Sequence, residues 1–147
     1  MNKLKISLKS TWWDRPPHVR IRTNNDILFD NKVEQDKTLE FKFTNFDSTL
    51  CQLCIELVGK TDDQTVVDLD NNIVKDQLIQ VEKIEIDDID LGILIFTKGI
   101  YYPEYPLHLQ NQDLPLAMPS IDTFGFNGKW VLEFDLPFAI WYLENLP

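Results

Sequence analysis

Aromatic side chains that stand next to charged ones are the first candidates for chemistry in this sequence. Exposed indole and phenol rings offer flat apolar faces on which the C–H surface of a sugar ring can stack. Adjacent residues of a strand point to opposite faces, so at most one of each neighbouring aromatic pair can enter a core. The others are expected to bind a sugar or to seal a contact with another protein. The candidate binding residues are Trp12, Trp13, Arg15, Tyr101, Tyr102 and Tyr105.

Clustered carboxylates are the second candidates, because calcium prefers oxygen ligands. Asp68, Asp70 and Asn72 have the spacing that opens an EF-hand loop. However, Ile73 stands where such a loop needs glycine, and Ile79 stands where it needs glutamate. The EF-hand interpretation therefore fails.

A second acidic cluster consists of Asp87, Asp88 and Asp90, just ahead of Gly92. Turns of this kind hold calcium in some β-sandwich proteins, so these three residues are the candidate metal ligands. Solvated turn acids are the alternative, because aspartate is common in turns for its local hydrogen bonds. The sequence leaves open both a calcium ion and no cofactor at all.

Catalytic motifs are few. The only histidines are His18 and His108, and the sequence contains neither a Gly-x-Ser-x-Gly nucleophile motif nor a His-Glu-x-x-His metal motif. Cys51 and Cys54 form a Cys-x-x-Cys, but the surrounding alternation would point their side chains to opposite faces of a strand. They are expected to be partly buried structural thiols, and the protein is expected not to be an enzyme.

The charge of the chain limits its partners. The formal net charge is −10 over 147 residues, which disfavours nucleic acids and anionic membrane surfaces. No apolar run approaches the ~20 residues of a membrane span. Residues 1–42 carry nine Lys or Arg and six Asp or Glu, whereas residues 43–147 carry five and eighteen. One basic and one acidic face would suit docking on a charged partner or on another copy.

Apolar and polar residues alternate along most of the chain, and a period of two is typical of half-buried strands. Long helical periodicity is not found, which favours antiparallel sheets over helical architectures. The sequence therefore predicts an all-β protein: an antiparallel two-sheet jelly-roll-like β-sandwich of about eight strands. It is expected to form one domain over residues 1–147. The clearest alternating apolar sets are Leu4, Ile6, Leu8; Val19, Ile21; Leu39, Phe41, Phe43; Cys51, Leu53, Ile55, Leu57; and Trp130, Leu132, Phe134.

Several local features follow from the same pattern. The parity of buried residues changes between Val81 and Ile84, which predicts a β-bulge near Glu82 and Lys83. Asn127-Gly128 predicts a tight hairpin. Residues 101–126 hold four prolines and few strand signals, which predicts a long proline-rich loop. Residues 93–96 form a short apolar run, and residues 138–143 are expected to close the sheet or to form a helical turn.

Five segments resemble a family of short proteins from tailed bacteriophages, notably T4-like phages of marine cyanobacteria. They are Trp12–Arg22, Ile86–Gly92, Lys98–Pro103, Asn127–Trp130 and Pro137–Trp141. The resemblance implies a viral protein made in the host cytoplasm and associated with the virion. Its function would be that of a structural or accessory module that docks on other virion proteins or on itself.

A second resemblance is to jelly-roll carbohydrate-binding modules, in which a late strand reads like Ile84–Asp87 and is followed by a turn. Asp88 stands where such turns often carry glycine. This resemblance implies the alternative function, recognition of a host surface glycan with or without calcium. The two functions differ in surface: a contiguous apolar patch favours protein docking, whereas a shallow groove with a polar rim favours sugar.

Overall fold

The computed structural model describes residues 1–44 and 49–147 of the chain. Within these ranges, strands dominate and two short helices accompany them. The elements are β1 (Asn2–Thr11), β2 (His18–Thr23), β3 (Asp26–Lys32), β4 (Lys37–Phe43), β5 (Leu50–Val58), β6 (Val66–Val67), β7 (Ile73–Lys75), β8 (Leu78–Ile86), β9 (Ile89–Asp90), α1 (Leu94–Thr97), β10 (Ile100–Glu104), β11 (Met118–Pro119), β12 (Thr123–Phe124), β13 (Asn127–Asp135) and α2 (Phe138–Asn145).

Two antiparallel sheets form the body of the protein. The smaller sheet has the order β12-β8-β1-β4, with β9 added beside β8, and the larger has the order β11-β10-β13-β5-β2-β3. The β6–β7 hairpin forms a separate two-stranded sheet. The predicted antiparallel two-sheet sandwich is confirmed.

The core lies between the two sheets and consists of the inward-facing side chains of the alternating strands. The predicted residues Leu4, Ile6 and Leu8 of β1 are buried, as are their counterparts on β2, β5 and β13. Burial of each such side chain stabilises the fold by about 1.5–3 kcal/mol. Ring contacts link the sheets: Phe43 of β4 meets Phe134 of β13 edge to face, with centroids 6.5 Å apart.

The predicted bulge lies where the parity changes. Ser7 of β1 pairs with Lys83, but the next residue, Leu8, pairs with Val81, so Glu82 has no counterpart. Glu82 and Lys83 are both exposed, while the apolar residues on either side are buried. The extra residue thus keeps both halves of β8 facing the core.

The predicted long loop over residues 101–126 is partly wrong. It contains most of β10 as well as β11, β12 and a 3₁₀ turn at Leu107–Leu109. These strands are very short, and Pro103 and Pro119 belong to two of them. A short strand that contains proline does not show the alternation of apolar and polar residues by which strands are predicted. Stacking of Tyr101 on Phe124, with centroids 4.6 Å apart, ties this segment to the core.

The predicted tight hairpin at Asn127-Gly128 is wrong, because both residues begin β13. The Asn127 side chain bonds the backbone of Lys60, accepting from its N–H at 2.8 Å and donating to its carbonyl at 2.9 Å. Gly128 has φ +152° and pairs with Pro103 of β10. These residues therefore join strands rather than reverse the chain.

The short apolar run at residues 93–96 contributes to α1, and the segment from Phe138 forms α2. Phe138 and Trp141 of α2 are buried against Phe134 of β13, with ring centroids 5.4 and 6.1 Å away. The helical alternative for residues 138–143 is confirmed. Neither helix is long and apolar enough to cross a membrane, which holds for the described residues.

Candidate functional site

The link between β1 and β2 presents two adjacent tryptophans at one end of the sandwich. Trp12 is 40% exposed and Trp13 is 42% exposed. Each indole N–H donates to a backbone carbonyl, Trp12 to Glu34 at 3.0 Å and Trp13 to Gln64 at 2.9 Å. The polar edge of each ring is thus already bonded. What the rings offer to solvent is mainly apolar surface.

One cation contacts Trp13, and a second follows two residues later in the link. The Lys75 Nζ atom lies 4.8 Å from the centroid of the Trp13 ring, a cation–π contact. The Arg15 guanidinium donates to the Thr61 hydroxyl and to Asp63, the latter at 3.4 Å. Half of the Arg15 side chain remains exposed. The link therefore carries polar, hydrogen-bonding groups as well as apolar rings.

Two buried glutamines hold this link in place. Gln64 donates from Nε2 to Asp14 at 2.9 Å, accepts from the Arg15 N–H at 3.2 Å, and provides the carbonyl that Trp13 bonds. Gln77 donates to the Arg15 carbonyl at 2.9 Å. Both side chains are almost completely buried. Three consecutive residues are therefore bonded to one glutamine, which orders the link.

A buried ion pair lies at the base of the β6–β7 hairpin. The Lys60 ammonium lies 2.7 Å from Asp76 and also donates to the Gly125 carbonyl at 2.6 Å. The Thr65 hydroxyl donates to the same Asp76 oxygen at 2.7 Å. Because every partner is a fixed polar group, this network stiffens the chain on both sides of β6 and β7.

Sequence reasoning missed Gln64, Gln77, Lys60, Lys75 and Asp76. They are ordinary polar residues in a turn-rich stretch, and nothing in their local pattern marks them as partners of Trp13 or Arg15. Long-range pairing brings them together, since Gln64 lies about fifty residues from the link it holds.

The candidate tyrosines do not join the tryptophans in one set. Tyr101 is buried against Phe124, and its hydroxyl donates to the Phe126 carbonyl. Burial raises the pKa of Tyr101 well above its usual range. Its predicted role in surface binding is therefore wrong, because the pairing of β10 with β13 turns this ring into the core.

Tyr102 and Tyr105 occupy other surroundings. Tyr102 is 42% exposed and pairs across the larger sheet with Lys129, on the side opposite to the core. Tyr105 is half-buried, with its ring edge to face with Phe126 at 5.0 Å and its hydroxyl donating to the Pro115 carbonyl at 2.7 Å. The link residues Trp12, Trp13 and Arg15 are thus the part of the predicted set that lies together.

The candidate calcium ligands already have partners, on β1 or in their own turn. Asp87 accepts from the Lys3 N–H and from the Asn2 side chain, both at 2.8 Å. Asp90 accepts from the Gly92 N–H at 2.9 Å, and Asp88 faces the Lys3 ammonium at 3.4 Å. No cluster of three or more potential metal ligands occurs in the described part of the chain. Calcium binding by these three residues stays a prediction.

The carboxylate of the acidic turn at residues 68–72 also bonds groups of its own turn. Asp68 accepts from the N–H groups of Asp70 and Asn72, both at 2.9 Å. Asn71 between them has φ +62°, a conformation that asparagine tolerates better than most residues. The carboxylate of Asp68 therefore closes the turn between β6 and β7.

The turn between β8 and β9 allows a stability test with two neighbouring residues. Asp87 and Asp88 have φ of 50° and 66°, the left-handed pair of a type I′ turn, in which glycine is favoured. We expect Asp88→Gly to stabilise the protein by about 0.5 kcal/mol, because it relieves the backbone and removes only an exposed ion pair. Asp87→Gly should destabilise it by about 1 kcal/mol, because two hydrogen bonds are lost. Urea unfolding measures both, and a reversed order would contradict this account.

The outer face of the larger sheet carries a second polar cluster. Glu56 is buried between two arginines, accepting from Arg20 at 3.3 Å and from Arg22 at 2.5 Å. Cys54 lies beneath Arg22 on this face, and burial raises the pKa of its thiol. Cys51 is buried on the inner face, so the prediction that the two thiols point apart is confirmed.

Both histidines pair with aspartates. The His18 ring bonds Asp30 across β2 and β3, and this hydrogen bond lowers the pKa of the Asp30 carboxyl. His108 lies 3.5 Å from Asp62 on the exposed surface. The prediction that the protein is not an enzyme remains a prediction.

Comparison with known proteins bears on the fold. No family model matches the chain, and no curated protein matches it. The chain is similar to the solved structure of vCBM60, from work on two families of calcium-dependent carbohydrate binding modules linked by circular permutation. The likeness has a TM-score of 0.59, covers 90% of each chain, and has 7% sequence identity. At this identity it confirms the β-sandwich fold alone, and the phage resemblance stays a prediction.

Proposed function

We propose that the protein is a non-catalytic binding module that recognises a glycan with the link between β1 and β2. One observation carries the proposal: the consecutive residues Trp12 and Trp13 are each about 40% exposed, with both indole N–H groups already bonded to backbone carbonyls. Such rings offer fixed apolar faces of the kind on which sugar C–H groups stack.

The surroundings of the rings suit a sugar better than a purely apolar ligand. Lys75 lies over the Trp13 ring, and Arg15, Thr61 and Asp63 form a bonded polar group next to Gln64, whose carbonyl Trp13 bonds. These groups offer donors and acceptors to the hydroxyl groups of a sugar. A few polar groups around an apolar surface fix the orientation of a small ligand. The link is also held by Gln64 before any ligand arrives, so binding orders fewer groups and costs less entropy.

The fold supports the proposal at a coarse level. The protein similar to this chain is named as a carbohydrate binding module that depends on calcium. Here the carboxylates of Asp87, Asp88 and Asp90 bond β1 or their own turn, and the recognition proposed at the tryptophan link uses none of them. Added calcium chloride should therefore leave glycan affinity unchanged.

Docking in or on a virion is the second candidate, and one observation favours it. The β6–β7 hairpin exposes four aliphatic side chains, a surface that suits a protein partner. In this setting the chain would be made in the host cytoplasm and would carry its glycan site on a particle. The two candidate surfaces adjoin each other, because Lys75 at the base of the hairpin lies over the Trp13 ring.

A glycan array with matched variants tests the proposal. The parent protein should bind a subset of surface oligosaccharides, and Trp13→Ala should weaken binding about tenfold or more, since a stacked ring is worth about 1–2 kcal/mol. Tyr102→Ala is the control, because Tyr102 has the same 42% exposure but lies on the sheet. A parent that binds nothing, or a Trp13→Ala variant that binds as the parent does, contradicts the proposal.

A further inference from the structure

The β6–β7 hairpin exposes a group of aliphatic side chains on a chain whose formal net charge is −10. This element, named here the apolar hairpin, spans residues 66–75. Its exposed aliphatic side chains range from 51% to full exposure: Val67, Leu69, Ile73 and Val74. Side chains of this type in one place mark a surface that is covered by a partner in the working state.

The apolar hairpin is ordered at both of its ends. At its turn, the Asp68 N–H donates to the Asn72 carbonyl at 2.9 Å, and the Asp68 carboxylate accepts from two further N–H groups. At its base, Thr65 bonds Asp76 and Lys75 rests on Trp13. A fixed strand pair loses little conformational freedom when a partner binds.

Both long edges of the apolar hairpin are open. It belongs to neither sheet of the sandwich, and no third strand pairs with it in residues 1–44 and 49–147. Isolated two-stranded hairpins are marginally stable, and an open edge is a template for another strand. Strand addition would therefore satisfy the edge of β7 and place a neighbouring strand beside both Ile73 and Val74, which point to opposite faces of the hairpin.

We propose that a second copy of this chain adds its own β7 to this edge, antiparallel and about a twofold axis. The distribution of charge along the hairpin is the reason for proposing a second copy as the partner. Its turn is acidic, with Asp68 and Asp70, whereas its base carries Lys75. Antiparallel pairing brings the Lys75 end of each β7 to the acidic turn of the other copy, so opposite charges meet twice. Parallel pairing would bring like charges together.

The size of the contact sets its strength. A contact between two such short hairpins is smaller than most specific interfaces, which bury about 1,200 Å² or more in total. Two chains of formal charge −10 also repel each other. The dimer is therefore weak, with a dissociation constant of the order of 10–100 μM.

Sedimentation equilibrium of the full chain from about 5 to about 500 μM tests the proposal. The parent should pass from monomer to dimer in this range, and Ile73→Lys should raise the dissociation constant at least about tenfold, since it buries a charge in the contact. Leu143→Lys is the control, because Leu143 is 70% exposed on α2, far from the hairpin in sequence. Circular dichroism verifies that each variant is folded.

A charge exchange separates pairing between copies from non-specific association. Lys75→Glu should weaken the dimer, and Lys75→Glu combined with Asp70→Lys should restore it, because opposite charges meet again. Asp70 is suited to the exchange, since it contributes its backbone N–H to the turn. A parent that is monomeric at the highest concentration overturns the proposal. So does a dimer that Ile73→Lys leaves intact, or a double variant that associates no better than Lys75→Glu.

Discussion

Gly128→Ala should destabilise the protein by about 4 kcal/mol, the largest effect expected of any single substitution considered. A Cβ atom at this position would lie 2.4 Å from the Tyr102 carbonyl oxygen and 2.8 Å from Pro103 Cα. Both are backbone atoms of β10, so relief requires the strands to separate. The φ of +152° adds strain, because side chains rarely adopt it.

Gly125→Ala is the control for this prediction. Its added Cβ would meet only Leu78, at an ordinary contact distance of 3.5 Å. Urea unfolding of the two variants should show a large loss of stability for Gly128→Ala and a change within about 0.5 kcal/mol for Gly125→Ala. Equal stabilities would mean that β10 and β13 do not approach as closely as described.

Gln64→Ala should destabilise the protein by about 3 kcal/mol and loosen the tryptophan link. The side chain is completely buried, and its loss leaves a cavity beside the Arg15 N–H and the Asp14 carboxylate. A buried donor without a partner costs about 1–3 kcal/mol, and the cavity adds to this. Faster hydrogen exchange at the Arg15 amide should accompany the loss of stability.

Gln80→Ala provides the comparison, since Gln80 is half-buried on β8 and makes a side-chain bond to Asp122 at 3.2 Å. It should cost less than about 1 kcal/mol and leave exchange at the Arg15 amide unchanged. If both variants behaved alike, Gln64 would be an ordinary core residue with no part in ordering the link.

The alternation of side chains was sufficient to predict the sandwich and its bulge. Leu4, Ile6 and Leu8 face the core for the same reason that Glu82 and Lys83 do not: one extra residue resets the period of two. The helix at Phe138 could only be named as one of two outcomes, because a short, almost wholly apolar segment has no readable period.

The parts that sequence reasoning predicted wrongly depend on long-range contacts. Asn127 and Gly128 have the composition of a hairpin turn, but the Lys60 backbone and β10 hold them in a strand. The sequence does not distinguish Tyr101 from its neighbour Tyr102, whereas the pairing of β10 with β13 places the Tyr101 ring in the core and the Tyr102 ring on the surface. Local composition does not contain the register of distant strands, and register decides both cases.

The candidate site also combines residues that the sequence reveals with residues that only the fold brings together. Trp12, Trp13 and Arg15 are recognisable from type and order, whereas the glutamines that hold them come from a segment some fifty residues away. The acids at residues 87–90 have the composition of metal ligands, yet each carboxylate serves its own turn or β1. The spacing of these acids in the sequence does not reveal their hydrogen bonds, which come from the fold.

The most direct test of the glycan proposal is an indole ¹⁵N–¹H spectrum recorded during titration with an oligosaccharide that the array selects. The protein has four tryptophans: two exposed in the link, and two, Trp130 and Trp141, buried in the core as internal references. We expect the Trp12 and Trp13 signals to shift with ligand concentration while the signals of Trp130 and Trp141 stay in place. Shifts confined to the core indoles, or link indoles that do not respond to a bound ligand, would contradict the proposed site.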